Sequence, residues 1–178
     1  GLPFYFNGAI TSPFELTGFI DANGTFRETP FYKAYTSGGV YLFDELDGSS
    51  PAAVLAFNAA LANGHAAFPN GNVERHRDCI IIAGGNTSMR GDGLMGGFQR
   101  AKFDAAFRDR FVYLEWPIDE ELEKTLAAAY GDIGRKWVAD IQAMRQAAAR
   151  VGVRDFEITP RATLRGAAML AAGIDKGT

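Results

Sequence analysis

The stretch Gly38-Gly39-Val40-Tyr41-Leu42-Phe43-Asp44-Glu45 decides the predicted fold of this chain. Four consecutive large apolar residues after two glycines are typical of a strand that is buried on both faces of a parallel sheet. Asp44 and Glu45 follow at the point where this strand must end, and ligands of open α/β folds bind at that edge of the sheet. One carboxylate there can hold a hydrated metal ion while its neighbour polarises a water. The alternative is an ordinary solvated turn, because Asp and Glu are common after strands.

The composition of the 178 residues limits the class of protein. Apolar residues make up 47% of the chain, which supports a real hydrophobic core. The net charge of −3 argues against a nucleic-acid-binding surface. The single cysteine, Cys79, excludes an intramolecular disulfide. No apolar run approaches the roughly 20 residues needed to cross a bilayer. We therefore expect a soluble cytoplasmic protein with neither a membrane nor a nucleic acid as partner.

Strand-like and helix-like patterns alternate along the chain up to Pro117, and only helix-like patterns follow. Besides the opening strand, the predicted elements of the core are a hairpin at 19–26, a helix from Ser50-Pro51 to Asn63, a hairpin at 66–75, a buried strand at 80–83 and a third strand at 111–114. Predicted helices then start at Asp119, near Arg135 and at Thr159-Pro160. The predicted fold is therefore an α/β core over residues 1–117, followed by a small all-α unit over residues 118–178.

Chemistry-bearing side chains follow two of the predicted strands. Asp44 and Glu45 follow the first strand, and Asn86 follows the strand at 80–83. If these strands are parallel neighbours, the three side chains project from the same edge of the sheet. Two carboxylates and an amide at that edge could bind a hydrated magnesium ion and orient an attacking water.

The order of these segments resembles that of the AAA+ ATPases. Residues 40–45 look like a Walker B motif, and residues 80–87 look like the strand and asparagine called sensor 1. Residues 107–111 resemble the arginine-finger region, and residues 159–162 are similar to the sensor 2 segment of the lid. The segment 16–20, followed by a turn and then Walker B, is similar to the MoxR and dynein-related group, which includes the small ATPase subunits of metal chelatases.

The resemblance implies a partial AAA+ core, a parallel sheet with flanking helices and two hairpin insertions, followed by a helical lid. It implies ATP and Mg²⁺ as cofactors and ATP hydrolysis as the activity. Asp44 would hold the magnesium ion through water, Glu45 would be the base that activates the lytic water, and Asn86 would position that water against the γ-phosphate.

The resemblance also implies roles for arginines and for partners. Arg110, or else Arg108, would reach across a subunit boundary to stabilise charge in the transition state. Arg161, or else Arg165, would contact phosphate from the lid. Because the finger acts in trans, a homo-oligomeric ring, usually a hexamer in this family, is implied, and the ring would remodel a protein client.

One family motif has no counterpart in this sequence. A phosphate loop of the form Gly-x-x-x-x-Gly-Lys-Ser/Thr should precede Walker B, and the glycine-rich segment 91–97 has no lysine and follows sensor 1. We therefore expect a fragment that begins after the phosphate loop and that is weak or inactive by itself. Loss of the strand before that loop would leave sheet groups unpaired. We expect another segment or a second chain to fill the gap, or the strand at 111–114 to be displaced.

Two other functions are compatible with the same residues. A metal-dependent hydrolase or nuclease could bind magnesium directly through Asp44, Glu45 and Asp47, without a nucleotide. A non-catalytic assembly module could keep the fold without the phosphate loop.

Overall fold

The computed structural model describes residues 1–86, 103–153 and 158–174. The described chain divides into two compact units, Gly1–Val112 and Tyr113–Thr178. The strands of the first unit are β1 (Phe4–Asn7), β2 (Phe19–Ile20), β3 (Phe26–Arg27), β4 (Gly39–Phe43), β5 (His65–Phe68), β6 (Gly71–Glu74) and β7 (Cys79–Ala83). Its helices are α1 (Pro13–Thr17), α2 (Pro30–Ser37), α3 (Pro51–Ala62) and α4 (Ala105–Arg108).

In the described part of the first unit, the central sheet contains three parallel strands in the order β1-β4-β7. Val40 lies opposite Phe4 on one side and Ile80 on the other. The prediction that the strands at 40–43 and 80–83 are parallel neighbours is confirmed. The pairs β2–β3 and β5–β6 form separate antiparallel hairpins, as the sequence predicts.

Capping residues set the start of the helix that follows the central strand. The Ser50 side chain accepts a hydrogen bond from the Ala53 backbone N–H at 3.2 Å, and Pro51 occupies the first turn of α3. The helix ends at Ala62, with Asn63 as its C-cap. These bounds confirm the helix predicted after Ser50.

One face of the sheet packs on an aromatic core that α2 and α3 help to build. Phe57 of α3 lies against Phe31, Tyr41 and Phe43 with ring centroids 5.1–6.4 Å apart. All four side chains have no exposed surface. Edge-to-face and tilted packing of this kind adds to the free energy of burying the rings. The core therefore holds the central strand, and the residues that follow it, in a defined position.

On the opposite face of the sheet, side chains of the described strand β7 are partly exposed, which corrects the prediction that 80–83 is a buried strand. Ile80 is 47% exposed and Ile82 is 49% exposed, whereas Cys79 of the same strand is buried. An apolar run indicates that a strand can be buried on two faces, but actual burial requires a second layer. Among the described residues, no strand pairs with the outer edge of β7.

The strand predicted at 111–114 is also wrong. Residues 111–114 form no strand, and Val112 and Leu114 are largely exposed. Phe111 instead packs its ring against Phe57 and Phe107. A strand needs a neighbour to satisfy its backbone groups, and no described segment lies beside these residues as a strand. Within the described residues no strand fills the outer edge of β7, and 111–114 is not a displaced strand, so the expectation that this gap is filled or that the strand is moved aside is not met.

The second unit is helical, as predicted. It contains α5 (Glu120–Ala127), α6 (Gly131–Val151) and α7 (Pro160–Ala171). Asp119 and Thr159 cap α5 and α7 through hydrogen bonds from the Leu122 and Ala162 N–H groups. No helix in the described parts of either unit is long and apolar enough to cross a membrane.

The interior of the second unit contains a buried ion pair that the sequence did not indicate. Arg145 of α6 donates two hydrogen bonds of 2.7 Å, one to each carboxylate oxygen of Glu123 on α5. Arg145 also donates to Thr163 of α7 at 2.9 Å and to the Ile158 carbonyl at 2.6 Å. The hydrogen bonds from Arg145, more than any other interaction, lower the pKa of Glu123 from 4.5 to about 2.

Candidate active site

The carboxyl ends of β4 and β7 meet at one edge of the central sheet. The last paired residues are Phe43 and Ala83, and the Gly84 N–H donates to the Phe43 carbonyl at 2.8 Å. Asp44 therefore lies beside Gly84, directly beyond the sheet. This is the edge at which open parallel sheets bind ligands.

The candidate base, Glu45, has an unusual backbone conformation. Its φ of 52° and ψ of 38° are left-handed, and it is the one non-glycine residue with positive φ in the described part of the chain. This conformation turns the chain sharply after β4, so that Asp44 and Glu45 are exposed while Leu46 and Asp47 are buried. Left-handed conformations of residues other than glycine are costly and concentrate at functional sites.

One hydrogen bond and the open space beside Gly84 define the orientation of the Asp44 carboxylate. Its Oδ1 accepts a hydrogen bond from the Glu45 N–H at 3.0 Å. The same oxygen lies 2.5 Å from the position that a Cβ on Gly84 would occupy. Only glycine at position 84 therefore leaves space for this carboxylate orientation.

Two hydrogen bonds connect the turn after β4 to the segment after β7. The Leu46 N–H donates to the Gly84 carbonyl at 2.9 Å. The Asn86 N–H donates to Asp47 Oδ2 at 3.1 Å, and Asp47 is only 1% exposed. The structure thus brings Glu45 and Asn86 to the same edge, as the sequence predicts. The role of Asp47 in this arrangement was missed.

The three acidic residues of the alternative hydrolase site do not act together as metal ligands here. Asp44 and Glu45 are exposed, whereas the buried Asp47 carboxylate accepts the Asn86 N–H. Within residues 1–86, 103–153 and 158–174, no group of three or more His, Cys, Asp or Glu side chains could hold a metal ion.

The two candidate finger arginines differ in their environments. Arg110 is exposed, and its Nε donates to Asn58 Oδ1 on α3 at 2.8 Å. Arg108 is half-buried, and its Nε is buried without a hydrogen-bond partner in the described structure. Of the two, Arg110 is the more exposed. Arg161 and Arg165, the candidates for sensor 2, are both exposed residues of α7 in the second unit.

The residues at this edge fit magnesium better than they fit a complete nucleotide site. Magnesium in nucleotide sites keeps several waters and uses one or two carboxylates, and the exposed Asp44 carboxylate meets that requirement. A triphosphate also needs a glycine-rich loop with a lysine as its cradle, and the sequence contains no such motif. The chain therefore supplies candidate residues for the metal and for the attacking water, but not for the phosphate cradle.

Comparisons with known proteins identify the fold. No protein-family model and no curated protein sequence matches this chain. A solved structure of NtrX from Brucella abortus matches 99% of this chain and 41% of NtrX, with a TM-score of 0.62 and 17% identity. The complex of NtrX with ADP matches 99% of this chain and 40% of NtrX (TM-score 0.57, 16% identity). The complex with ATP matches 98% and 39% (TM-score 0.56, 16% identity).

These likenesses and the observed topology define the class of fold. In its described residues the chain has a three-stranded parallel sheet with flanking helices, followed by a helical part, and this fold matches that of a partial AAA+ core. The resemblance to the AAA+ ATPases that the sequence predicts is confirmed at the level of the fold. The chain spans less than half of the NtrX structures that it matches.

Proposed function

We propose that this chain is the Walker B, sensor 1 and lid portion of an AAA+ ATPase that hydrolyses ATP with magnesium and remodels a protein partner. The observation that carries the proposal is the meeting of exposed Asp44 and Glu45 with the Asn86 segment at one edge of a parallel sheet. The complexes of NtrX with ADP and ATP support a nucleotide as the ligand. The segment 16–20 supports a place near the MoxR and dynein-related group.

Each residue at the edge has a proposed chemical role. Magnesium, when bound, neutralises charge on the phosphates. Asp44 binds and orients the hydrated ion, with its carboxylate direction set by the Glu45 N–H. Glu45 accepts a proton from the lytic water at its carboxylate, as a general base. The Asn86 side-chain amide holds that water in line with the bond to be broken.

The arginines extend the proposed site to a neighbouring subunit and to the lid. Asn58 holds the Arg110 Nε–H, so the two terminal nitrogens of Arg110 are the groups proposed to stabilise phosphate charge in trans. This role requires a closed homo-oligomeric ring, which we propose to be a hexamer. Arg161 of α7 is proposed to contact phosphate and to link the position of the lid to the nucleotide state.

Steady-state ATP hydrolysis by the full-length protein tests the proposal. Glu45→Gln is expected to lower kcat about 100-fold or more, because general bases contribute about 10²–10⁴-fold. The Kd for ATP should change less than about 2-fold, since the substitution removes only the proton acceptor. Glu74→Gln, at an exposed glutamate of β6, is the matched control and should leave both constants unchanged. Unchanged kcat in the Glu45→Gln variant would refute the role of Glu45.

A non-catalytic assembly module is the second candidate function. The observation that favours it is the absence of a Gly-x-x-x-x-Gly-Lys-Ser/Thr motif from this sequence. Isothermal titration calorimetry of the full-length protein with ATP and magnesium separates the two functions. An ATPase binds the nucleotide, whereas an assembly module shows no heat of binding and no hydrolysis while still forming an oligomer.

A further inference from the structure

We infer that Asp47 is a positioning residue that holds the backbone of Asn86 beside Glu45. The inference rests on the proposed function for its catalytic consequence. Its geometric part rests on the structure alone. Asp47 does not touch the reacting atoms in this account; it acts through the position of Asn86.

The sheet itself does not fix Asn86. The last residue of β7 that pairs with β4 is Ala83, and two further hydrogen bonds, from the Gly84 N–H to the Phe43 carbonyl and from the Leu46 N–H to the Gly84 carbonyl, hold the next residue. Asn86 lies two residues beyond Gly84 and is exposed. Its N–H donates to Asp47 Oδ2 at 3.1 Å, across 39 positions of sequence. This long-range contact ties the exposed Asn86 to a buried part of the molecule.

Asp47 is itself held firmly by the turn that carries Glu45. It lies in a single 3-10 turn, Leu46–Gly48, directly after the left-handed Glu45. The Glu45 carbonyl accepts hydrogen bonds from the Gly48 N–H at 2.9 Å and from the Ser49 hydroxyl at 3.4 Å. Ser49 Oγ in turn accepts the Ile10 N–H at 3.0 Å, which anchors the turn to the segment after β1.

The turn therefore places the Glu45 side chain in solvent and the Asp47 side chain in the interior. Glu45 is exposed, whereas Asp47, two residues later, is buried with its carboxylate directed at the Asn86 N–H. Because the Gly48 N–H and the Ser49 hydroxyl both donate to the Glu45 carbonyl, we expect Glu45 and Asp47 to move together. The bond from Asn86 to Asp47 thus sets the distance between the proposed base and the proposed water-positioning amide.

The chemistry of the contact predicts which substitutions preserve it. The bond requires an acceptor oxygen at the length of an aspartate side chain. Asn provides such an oxygen without charge, so Asp47→Asn should keep the bond. Ala provides none, so Asp47→Ala leaves the Asn86 N–H without this acceptor and frees the segment after β7. A role that depended on the negative charge would not be rescued by Asn.

Amide hydrogen exchange tests whether Asp47 holds the backbone of Asn86, and it does so without a measurement of ATP hydrolysis. In the chain carrying Asp47→Ala, exchange at the Asn86 N–H is expected to accelerate about tenfold or more, and in Asp47→Asn it should stay within about threefold of wild type. Asp119→Ala is the matched control, because it removes the same kind of bond, a carboxylate accepting the Leu122 N–H at 2.8 Å, in the second unit. That control should leave Asn86 exchange unchanged. Unchanged Asn86 exchange in Asp47→Ala would overturn the inference.

Kinetics of the full-length protein test the catalytic part. Asp47→Ala is expected to lower kcat about 10- to 100-fold through misplacement of Asn86, with the Kd for ATP unchanged, and Asp47→Asn should retain most of the wild-type kcat. Wild-type kcat in Asp47→Ala, or equal loss in both variants, would overturn the positioning role. If Asp47→Ala does not fold, loss of kcat in the nearly isosteric Asp47→Asn overturns it as well. A wild-type protein that fails to hydrolyse ATP refutes the proposed function, and the exchange of the Asn86 amide then decides whether Asp47 holds that residue.

Discussion

Replacing Arg145 with Met should strongly destabilise the helical second unit. The substitution removes both hydrogen bonds to the Glu123 carboxylate and leaves a group that is 2% exposed without its counter-charge. Breaking a buried ion pair in this way costs about 3–5 kcal/mol. The pKa of Glu123 provides a second value for this free energy, because its fall from 4.5 to about 2 arises first from hydrogen bonding to Arg145. At about 1.4 kcal/mol per pKa unit, that shift corresponds to about 3 kcal/mol.

The same shift predicts how stability depends on pH. The folded-state pKa of Glu123 lies below its ordinary value, so the carboxylate contributes its full stabilisation above about pH 4.5. That stabilisation is lost progressively as the pH falls from about 4.5 to about 2. In the Arg145→Met variant this titration should no longer lower the stability as the pH falls, because the hydrogen bonds that lower the pKa of Glu123 are gone while burial, which raises the pKa, remains.

Urea unfolding followed by Trp137 fluorescence measures the effect. Trp137 reports on this region because its Nε1–H donates to the Thr163 carbonyl at 2.9 Å, whereas the other tryptophan, Trp116, is 94% exposed. Arg135→Met is the matched control, since Arg135 pairs with Asp132 at the surface and such pairs contribute about 0–1 kcal/mol. Equal losses of unfolding free energy in the Arg145 and Arg135 variants would refute the reasoning. The double variant Glu123→Leu/Arg145→Met should recover much of the loss, because it leaves no unpaired buried charge.

Two further predictions concern the edge of the sheet. Glu45→Gly should raise the free energy of unfolding by about 0.5–1 kcal/mol in urea titrations, because glycine adopts the left-handed conformation of position 45 without steric cost. The same substitution should abolish ATP hydrolysis. A lower free energy of unfolding would contradict the claim that Glu45 is strained. Gly84→Ala should displace the Asp44 carboxylate and raise the magnesium concentration needed for half-maximal hydrolysis, because the new Cβ would lie 2.5 Å from Asp44 Oδ1. Gly8→Ala is its control, since a Cβ there meets nothing within 4 Å, and equal behaviour of the two variants would refute the close-approach argument.

Local signals in the sequence predicted the elements that position the site. The run at 40–43, the helix cap at Ser50-Pro51 and the Asn-Gly turn at 23–24 each act within a few residues, so their consequences follow from short-range physics. The confirmed strand, helix and hairpin at these places are the result. The resemblance to the AAA+ ATPases rests on the order of several segments along the chain, and no single motif is sufficient to indicate it.

The failed predictions depended on what packs against a segment from elsewhere. Residues 111–114 have the composition of a strand, but no described strand pairs with them. Ile80 and Ile82 are apolar and exposed for the same reason, since burial of a second face needs a second layer. Composition indicates that a segment can be buried, but it does not indicate whether another strand or helix is present to cover that segment.

The missed contacts join residues that are distant in sequence. Asp47 and Asn86 are 39 positions apart, and Glu123 and Arg145 are 22 positions apart. Acidic residues after a strand or in the first turn of a helix are ordinarily exposed, so neither pattern indicated a buried carboxylate. The sequence signal that this turn folds back into the core is the apolar Leu46 before Asp47, and the structure shows Leu46 to be buried.

The most direct test of the account is a crystal structure of the full-length Glu45→Gln protein with ATP and magnesium, conditions under which slow hydrolysis preserves the nucleotide. The account predicts that the magnesium ion lies at the edge formed by β4 and β7 and contacts the Asp44 carboxylate directly or through one water. It also predicts that Asn86 faces the γ-phosphate, with its N–H still bonded to Asp47. A nucleotide bound away from Asp44, Asn86 and position 45 would contradict the central claim.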